Sequence, residues 1–254
     1  MQLIILGSGT SIPIENRASP SLALIVDSAP IIFDMGPGTL RQLTKAGLDY
    51  ETIEQIFITH FHPDHTADLI HFMFASRTPS VLKRRKPFVV TGPRGLSKLV
   101  SSLQETYHNW LTLPSDIMKI EEIETGEASQ KDYDGFSITT GPTNHTPHSL
   151  AYRVETPDGK SIVYSGDTGF CDEVVDLARG ADLLVLESSF PDGHEVEGHL
   201  TPSQAGIIAH MANVSQLLLI HFYPECLVTD IEAQCRKTYQ GKLILGSDLL
   251  KISI

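Results

Sequence analysis

Short apolar runs punctuate the chain at residues 3–6, 22–26, 31–33, 56–59, 88–91, 162–164, 183–186, 217–220 and 243–245. They are rich in Leu, Ile and Val and are bounded by Gly, Pro, Asp and Ser, so they read as strands. Stretches 39–47, 92–107, 173–179, 202–212 and 229–239 lie between them and carry their apolar residues at helical spacing. Thr201 followed by Pro202 reads as an N-cap with proline at the first helical position, and Gly47 and Gly180 read as helix stops. Hairpins come early in each half, and strand–helix alternation follows. That order predicts an α/β layered fold in which helices cover mixed sheets.

The pattern partly repeats. Ser21-Leu-Ala-Leu-Ile-Val26 followed by Ile31-Ile-Phe-Asp34-Met-Gly36 describes a hairpin that ends in Asp and a glycine turn. Ser149-Leu-Ala-Tyr-Arg-Val154 followed by Ile162-Val-Tyr-Ser-Gly-Asp167-Thr-Gly169 describes another. Further on, Ile58-Thr-His60-Phe-His62-Pro-Asp64-His65 parallels Leu219-Ile-His221-Phe-Tyr223-Pro-Glu225-Cys226. We expect a single domain over residues 1–254, built of duplicated halves of about 1–140 and 141–254. No Pro/Ser/Gly-rich linker divides them, and the acidic, polar stretch 119–135 reads as a surface connection. The basic run Lys83-Arg84-Arg85-Lys86 has two readings, a solvated loop before a strand or a phosphate-facing patch beside the site.

Composition narrows the classes. A chain of 254 residues can bury a large core without disulfide staples. Its net charge of −12 argues against a general nucleic-acid coat protein, because phosphate backbones call for a basic footprint. No apolar run approaches the ~18 residues of a membrane helix. Three cysteines without a CxxC suggest neither a disulfide framework nor a thiolate zinc site. The opening MQLIILGSGTSIP reads as a first strand rather than a signal peptide, and a reducing cytoplasm is the expected setting.

The chemistry concentrates at Thr59-His60-Phe61-His62-Pro63-Asp64-His65. A strand end that opens into a loop aims alternate side chains at a common point, and imidazoles with carboxylates suit zinc, manganese or iron. Burying so many of them without a cation would be costly. Further donors stand at other strand ends: His145, Asp167 and His221.

These motifs, in this order, resemble the metallo-β-lactamase superfamily. Leu6-Gly7-Ser8-Gly9-Thr10, Leu186-Glu187-Ser188-Ser189-Phe190 and Gly198-His199-Leu200-Thr201-Pro202 are similar to its ribonuclease Z branch. The resemblance implies a four-layer αββα sandwich of two mixed β-sheets with two metal ions at one edge. It assigns His60, His62 and His145 to the first metal and Asp64, His65 and His221 to the second, with Asp167 bridging and a hydroxide opposite. Asp34 would support the ligand loop. Asp64 would also take or orient the water's proton, and His199, braced by Glu187, would be the acid. Zinc is favoured by ligand type, with manganese or iron as alternatives. A homodimer is implied as well.

One departure matters. Ribonuclease Z carries a long tRNA-gripping arm between the strand after the His145 motif and the Ser165-Gly166-Asp167 strand. Here residues 151–164 form a tight hairpin with Asp158-Gly159 in the turn. The expectation is therefore a metal-dependent phosphodiesterase acting on small, nucleotide-like diesters, with structured RNA a lesser partner and no membrane. The alternatives are an RNA 3′-processing endonuclease of ribonuclease Z type, or a sulfatase or lactone hydrolase on the same metal site. His62 and His145 argue against a diiron redox relative, which would carry a carboxylate there.

Overall fold

The computed structural model describes residues 1–126 and 128–254. The first half runs β1 (Gln2–Gly7), β2 (Ser21–Val26), β3 (Ala29–Phe33), α1 (Thr39–Ala46), β4 (Gln55–Phe57), α2 (Pro63–Thr66), α3 (Asp68–Ser76), α4 (Pro79–Leu82), β5 (Phe88–Pro93), α5 (Leu96–Tyr107) and β6 (Met118–Ile123). The second runs β7 (Ser129–Tyr133), β8 (Phe136–Pro142), β9 (Leu150–Glu155), β10 (Ser161–Tyr164), α6 (Asp172–Leu177), β11 (Leu183–Glu187), α7 (Pro202–Met211), β12 (Gln216–Ile220), α8 (Pro224–Leu227), α9 (Ile231–Cys235), β13 (Lys242–Leu245) and β14 (Lys251–Ser253). Among the described residues no helix is long and apolar enough to cross a membrane.

Two seven-stranded mixed sheets result, ordered β14-β1-β2-β3-β4-β5-β6 and β13-β12-β11-β10-β9-β8-β7. Both faces of the inner strands are buried, so these strands read as continuous apolar runs. Along β1, Leu3 and Ile5 join Leu24, Phe57, Tyr152, Val185 and Leu218 in a core between the sheets. Ile4 and Leu6 point the other way, into a core with Leu43, Phe72 and Val100 under α1, α3 and α5. Val163, Leu184 and Leu217 pack against Val174, Ile208 and Cys235 of α6, α7 and α9. The layers are helix, sheet, sheet, helix.

The two sheets share one pattern of pairing. From β1 to β6, and again from β8 to β13, two antiparallel pairs are followed by three parallel ones. The hairpins β2–β3 and β9–β10 hold matching places. The His-Phe loops do not: β4 lies beside β3, whereas β11 separates β12 from β10. Strand β6 ends at Ile123 in one sheet and β7 opens at Ser129 in the other, and β8 spans position 140.

Several elements differ from their sequence reading. Stretch 119–135 is not a plain surface connection, because it holds β6 and most of β7. Each is the edge strand of its sheet, so its free flank tolerates the acidic and polar residues that hid it. Gly92 and Pro93 belong to β5, so α5 starts only at Leu96. Helix α3 escaped because its exposed side is also apolar: Leu69, Phe72 and Met73 are buried, while Phe74 is half exposed. Helix α7 starts as read. Thr201 accepts from the Gln204 N–H, and the Gln204 side chain answers on the Thr201 N–H, a full capping box.

The basic run is structural. The Arg85 guanidinium is buried between the Phe72 and Phe88 rings, 4.5 and 4.4 Å from their centroids, and donates to the Tyr50 carbonyl. Arg84 pairs with Glu51 and Lys86 with Glu54. The run precedes the N-terminal end of β5, which is parallel to β4. His60 follows the C-terminal end of β4, so the run faces the opposite edge of the sheet and the phosphate-facing reading is set aside.

Candidate metal centre

The C-terminal ends of β3, β4, β8, β10, β11 and β12 meet at one edge. Asp34, His60, His145, Asp167, Glu187 and His221 stand at or just beyond them. Helix α2 opens with Pro63 at its first position and turns Asp64 and His65 inward. Gly166 makes the approach possible: its φ is +60°, and a Cβ there would sit 2.7 Å from the Thr59 side chain.

The residues singled out from sequence come together. His60, His62, His145 and Asp167 offer donor atoms within 4.8 Å of one another, and so do Asp64, His65 and His221. Asp167 faces both groups. Its Oδ2 lies 3.8 Å from His60 Nε2 and 3.7 Å from His145 Nε2, while its Oδ1 lies 3.2 Å from His65 Nε2 and 3.3 Å from His221 Nε2. Asp64 Oδ2 is 3.6 Å from His221 Nε2. His62 enters through Nδ1, 3.0 Å from His145 Nε2. A ring nitrogen of His199 lies within 4.8 Å of Asp167 and His221 donors.

The opposite nitrogens are spoken for. Asp34 Oδ2 accepts from His65 Nδ1 at 2.8 Å, and the Gly198 carbonyl from His145 Nδ1 at 2.8 Å. Ser189 Oγ accepts from His221 Nδ1 at 2.8 Å and donates in turn to Glu187. Thr59 Oγ1 donates to Asp34 and accepts from His60 Nδ1 at 3.0 Å. Each bond leaves Nε2 as a lone pair aimed at the centre, the tautomer a metal ligand needs. The Nε2 atoms of His60, His65 and His221 and Oδ1 of Asp167 are buried and without a hydrogen-bond partner. Unpaired buried acceptors are costly, and a cation satisfies all four, so this donor set fits divalent metal ions.

Without a cation the charges pull in different directions, and a cation at His65 would have to displace its proton. Burial holds the His60 ring well below its ordinary pKa, helped by the neighbouring imidazoles. Burial opposes charge on His65 too, but Asp167 and Asp34 outweigh it and raise that ring. Burial would raise the Asp167 carboxyl, yet His221 and His65 hold it well below the usual carboxylate range.

Glu187 is buried and accepts from the N–H groups of Thr168 and Leu200, from Ser189 Oγ and from His199 Nδ1, the last at 2.9 Å. Burial lowers the His199 pKa, but the Glu187 bond outweighs it and the ring is raised overall. Asp34 adopts a left-handed φ of 58°, uncommon for a side-chain-bearing residue, and is held by Thr59, His65 and the Tyr164 hydroxyl. Sequence reasoning missed Thr59, Tyr164, Ser189 and the Gly198 carbonyl. Hydroxyls and carbonyls have no characteristic spacing, and only the adjacency of Thr59 to His60 offered a hint. His148 is exposed, as are His71, His108, His194 and His210.

Two facing clusters of His and Asp at one edge of an αββα sandwich define a metallo-β-lactamase-type, metal-dependent hydrolase. A family model described as a beta-lactamase superfamily domain matches residues 30–222, and the chain belongs to that family. Within it the chain is a ribonuclease Z-like member. Ribonuclease Z of Mycobacterium bovis is 28% identical over 280 positions, covering 100% of this chain and 98% of that relative. That alignment is longer than this chain, so the relative carries segments absent here. The metallo-β-lactamase fold protein YhfI from Bacillus subtilis superposes with a TM-score of 0.85 at 20% identity, covering 99% of each chain. The short form of human tRNase Z gives 0.82 at 24% identity, covering 100% of this chain and 99% of that one. These two structures share the fold.

Proposed function

We propose that this chain hydrolyses phosphodiester bonds, and that its substrate is the 3′ region of an RNA, cleaved in the manner the name ribonuclease Z denotes. The observation that carries the chemistry is Asp167, whose two oxygens face two separate His/Asp groups beside His199. His60, His62 and His145 would hold one cation, Asp64, His65 and His221 the other, and Asp167 both. When bound, two such cations supply Lewis-acid charge and draw the pKa of a shared water toward about 7. Zinc is the metal this donor set suits best.

The chain's own groups do the rest. Asp34 and Ser189 fix the ring orientations of His65 and His221. Glu187 holds Nδ1 of His199, which turns Nε2 toward the centre. A cleaved diester releases an alkoxide, and protonated His199 gives it a proton at the leaving oxygen. The similarity to curated ribonuclease Z sequences over the whole chain supports RNA as the substrate more than it supports the small diester expected above.

One structural observation favours that small diester as a second reading. Strands β9 and β10 pair directly, Ser161 against Glu155, through a turn with Gly159 at φ +83°. The tight hairpin leaves no arm to grip RNA.

One experiment separates them. Metal-loaded protein is given an RNA with a 3′ trailer and, separately, bis(p-nitrophenyl) phosphate, each with a His65→Ala control. We expect trailer release that the control lacks. Turnover of the small ester alone would favour the second reading, and no turnover of either despite bound metal would redirect the search to sulfate esters or lactones.

A further inference from the structure

The position of His199 says where the leaving group must lie, and the wall beside it is aromatic. The Phe190 and Tyr223 rings stack on each other, centroids 4.7 Å apart and 18° from parallel. Both rings stand steeply to the His199 ring, with centroids 5.7 and 6.2 Å away and interplanar angles of 69° and 71°. Phe190 and Tyr223 are both partly exposed.

The backbone builds this wall deliberately. The Tyr223 N–H donates to the Ser189 carbonyl, which brings it beside Phe190. Tyr223 caps α8 before Pro224 with φ −70° and ψ 158°, as His62 caps α2 before Pro63 with φ −60° and ψ 144°. The two loops share the pattern His-Phe-x-Pro, and at the x position one carries a donor to the metal centre and the other an aromatic ring. The Tyr223 ring therefore projects toward the same centre, 5.8 Å from His221. Its hydroxyl meets the Ser11 hydroxyl at 3.2 Å on the rim.

We infer that the Phe190–Tyr223 stack seats a nucleobase on the leaving-group side of the scissile phosphate, beside His199. A third planar ring extends a stack at little cost, and every base offers a π-face, so the seat accepts any nucleoside. An uncharged wall of rings and a hydroxyl suits a base better than a second phosphate, which would call for cations.

This assignment rests on the phosphodiesterase reading, and its test keeps the two apart. Short oligonucleotides carry one abasic residue, either on the leaving-group side of the cleaved phosphate or on the other side. For the wild-type enzyme, kcat/KM should fall about tenfold when the leaving-group base is missing, and little when the other is. In Phe190→Leu and Tyr223→Leu the ratio of base-bearing to abasic substrate should fall toward one, while Tyr223→Phe should restore it. A wild-type ratio near one overturns the seat, as does an undiminished ratio in both leucine variants. Turnover of bis(p-nitrophenyl) phosphate reports the phosphodiesterase reading independently, and its absence together with uncleaved oligonucleotides sinks both.

Discussion

Glu187 and His199 make a charge-assisted pair whose consequence is a pH profile. The His199 ring is raised above its ordinary value of 6.5 because the Glu187 bond outweighs burial. A raised ring keeps its proton to higher pH, so the acid is present below the raised value and lost as pH climbs through it. The same shift contributes folding stability that is complete below 6.5 and fades as pH passes the folded value. Glu187→Gln removes the raising charge, so the alkaline limb of log kcat against pH should move to lower pH. His199→Ala should abolish that limb. It should cost on the order of 10²-fold or more on an unactivated ester but much less on a nitrophenyl ester, whose leaving group needs no proton. Equal losses on both esters would remove the acid role. At this scale the candidate donors were legible, since His60, His62, Asp64 and His65 fall within six residues and His145, Asp167 and His221 follow strand-like runs, while Glu187 and His199 were marked only by the family resemblance. Their supporting groups were not. Ser189 reaches His221 across 32 residues and Tyr164 reaches Asp34 across 130. Such contacts exist only once the sheets have formed.

Elements were legible where burial imposes a pattern, and hidden where it does not. The inner strands of both sheets are Leu/Ile/Val-rich runs because helices and the opposing sheet cover both of their faces. Strands β6 and β7 border solvent and carry Glu121, Glu122 and Lys131, so charge masked them. The basic run shows the reverse error, in which charge suggests chemistry and geometry assigns structure. Arg85 has lost solvent to such an extent that burial lowers its pKa to about 10. It is clamped by two rings and by carbonyls of Tyr50 and Ile53. Arg85→Ala leaves those carbonyls and rings without their partner, and should cost roughly 2–4 kcal/mol. Chemical denaturation reads that loss directly. KM for either diester should not follow it. A rise in KM without a loss of stability would return the run to the substrate.

At the scale of the whole molecule, the candidate ligands divide between the two sheets. His60, His62, Asp64 and His65 extend from the sheet of β1–β6, whereas His145, Asp167 and His221 extend from that of β7–β13. A cation held by His60 and His145, or by His65 and His221, would therefore join the sheets across their edge. The inter-sheet core already binds them through Phe57, Tyr152 and their neighbours. Cations would add to that cohesion by mass action. Metal at 1,000 times its dissociation constant contributes about 4 kcal/mol to a fold that binds it only when native. In a chain of this size, that is about 10 °C in Tm. Chelation should therefore lower Tm by about that amount, and restored metal should bring it back. Acidity sharpens the expectation. Asp167 is a buried carboxylate whose side-chain partners without metal are imidazoles alone, so removing the cations leaves an imperfectly compensated cluster. In His65→Ala the difference between loaded and chelated Tm should shrink by more than half, because this substitution removes one cation's ligand and releases Asp34 from its partner. A chelator that leaves the wild-type Tm where it was, while the metal is verifiably gone from the protein, would show that the two sheets hold together without any help from the centre.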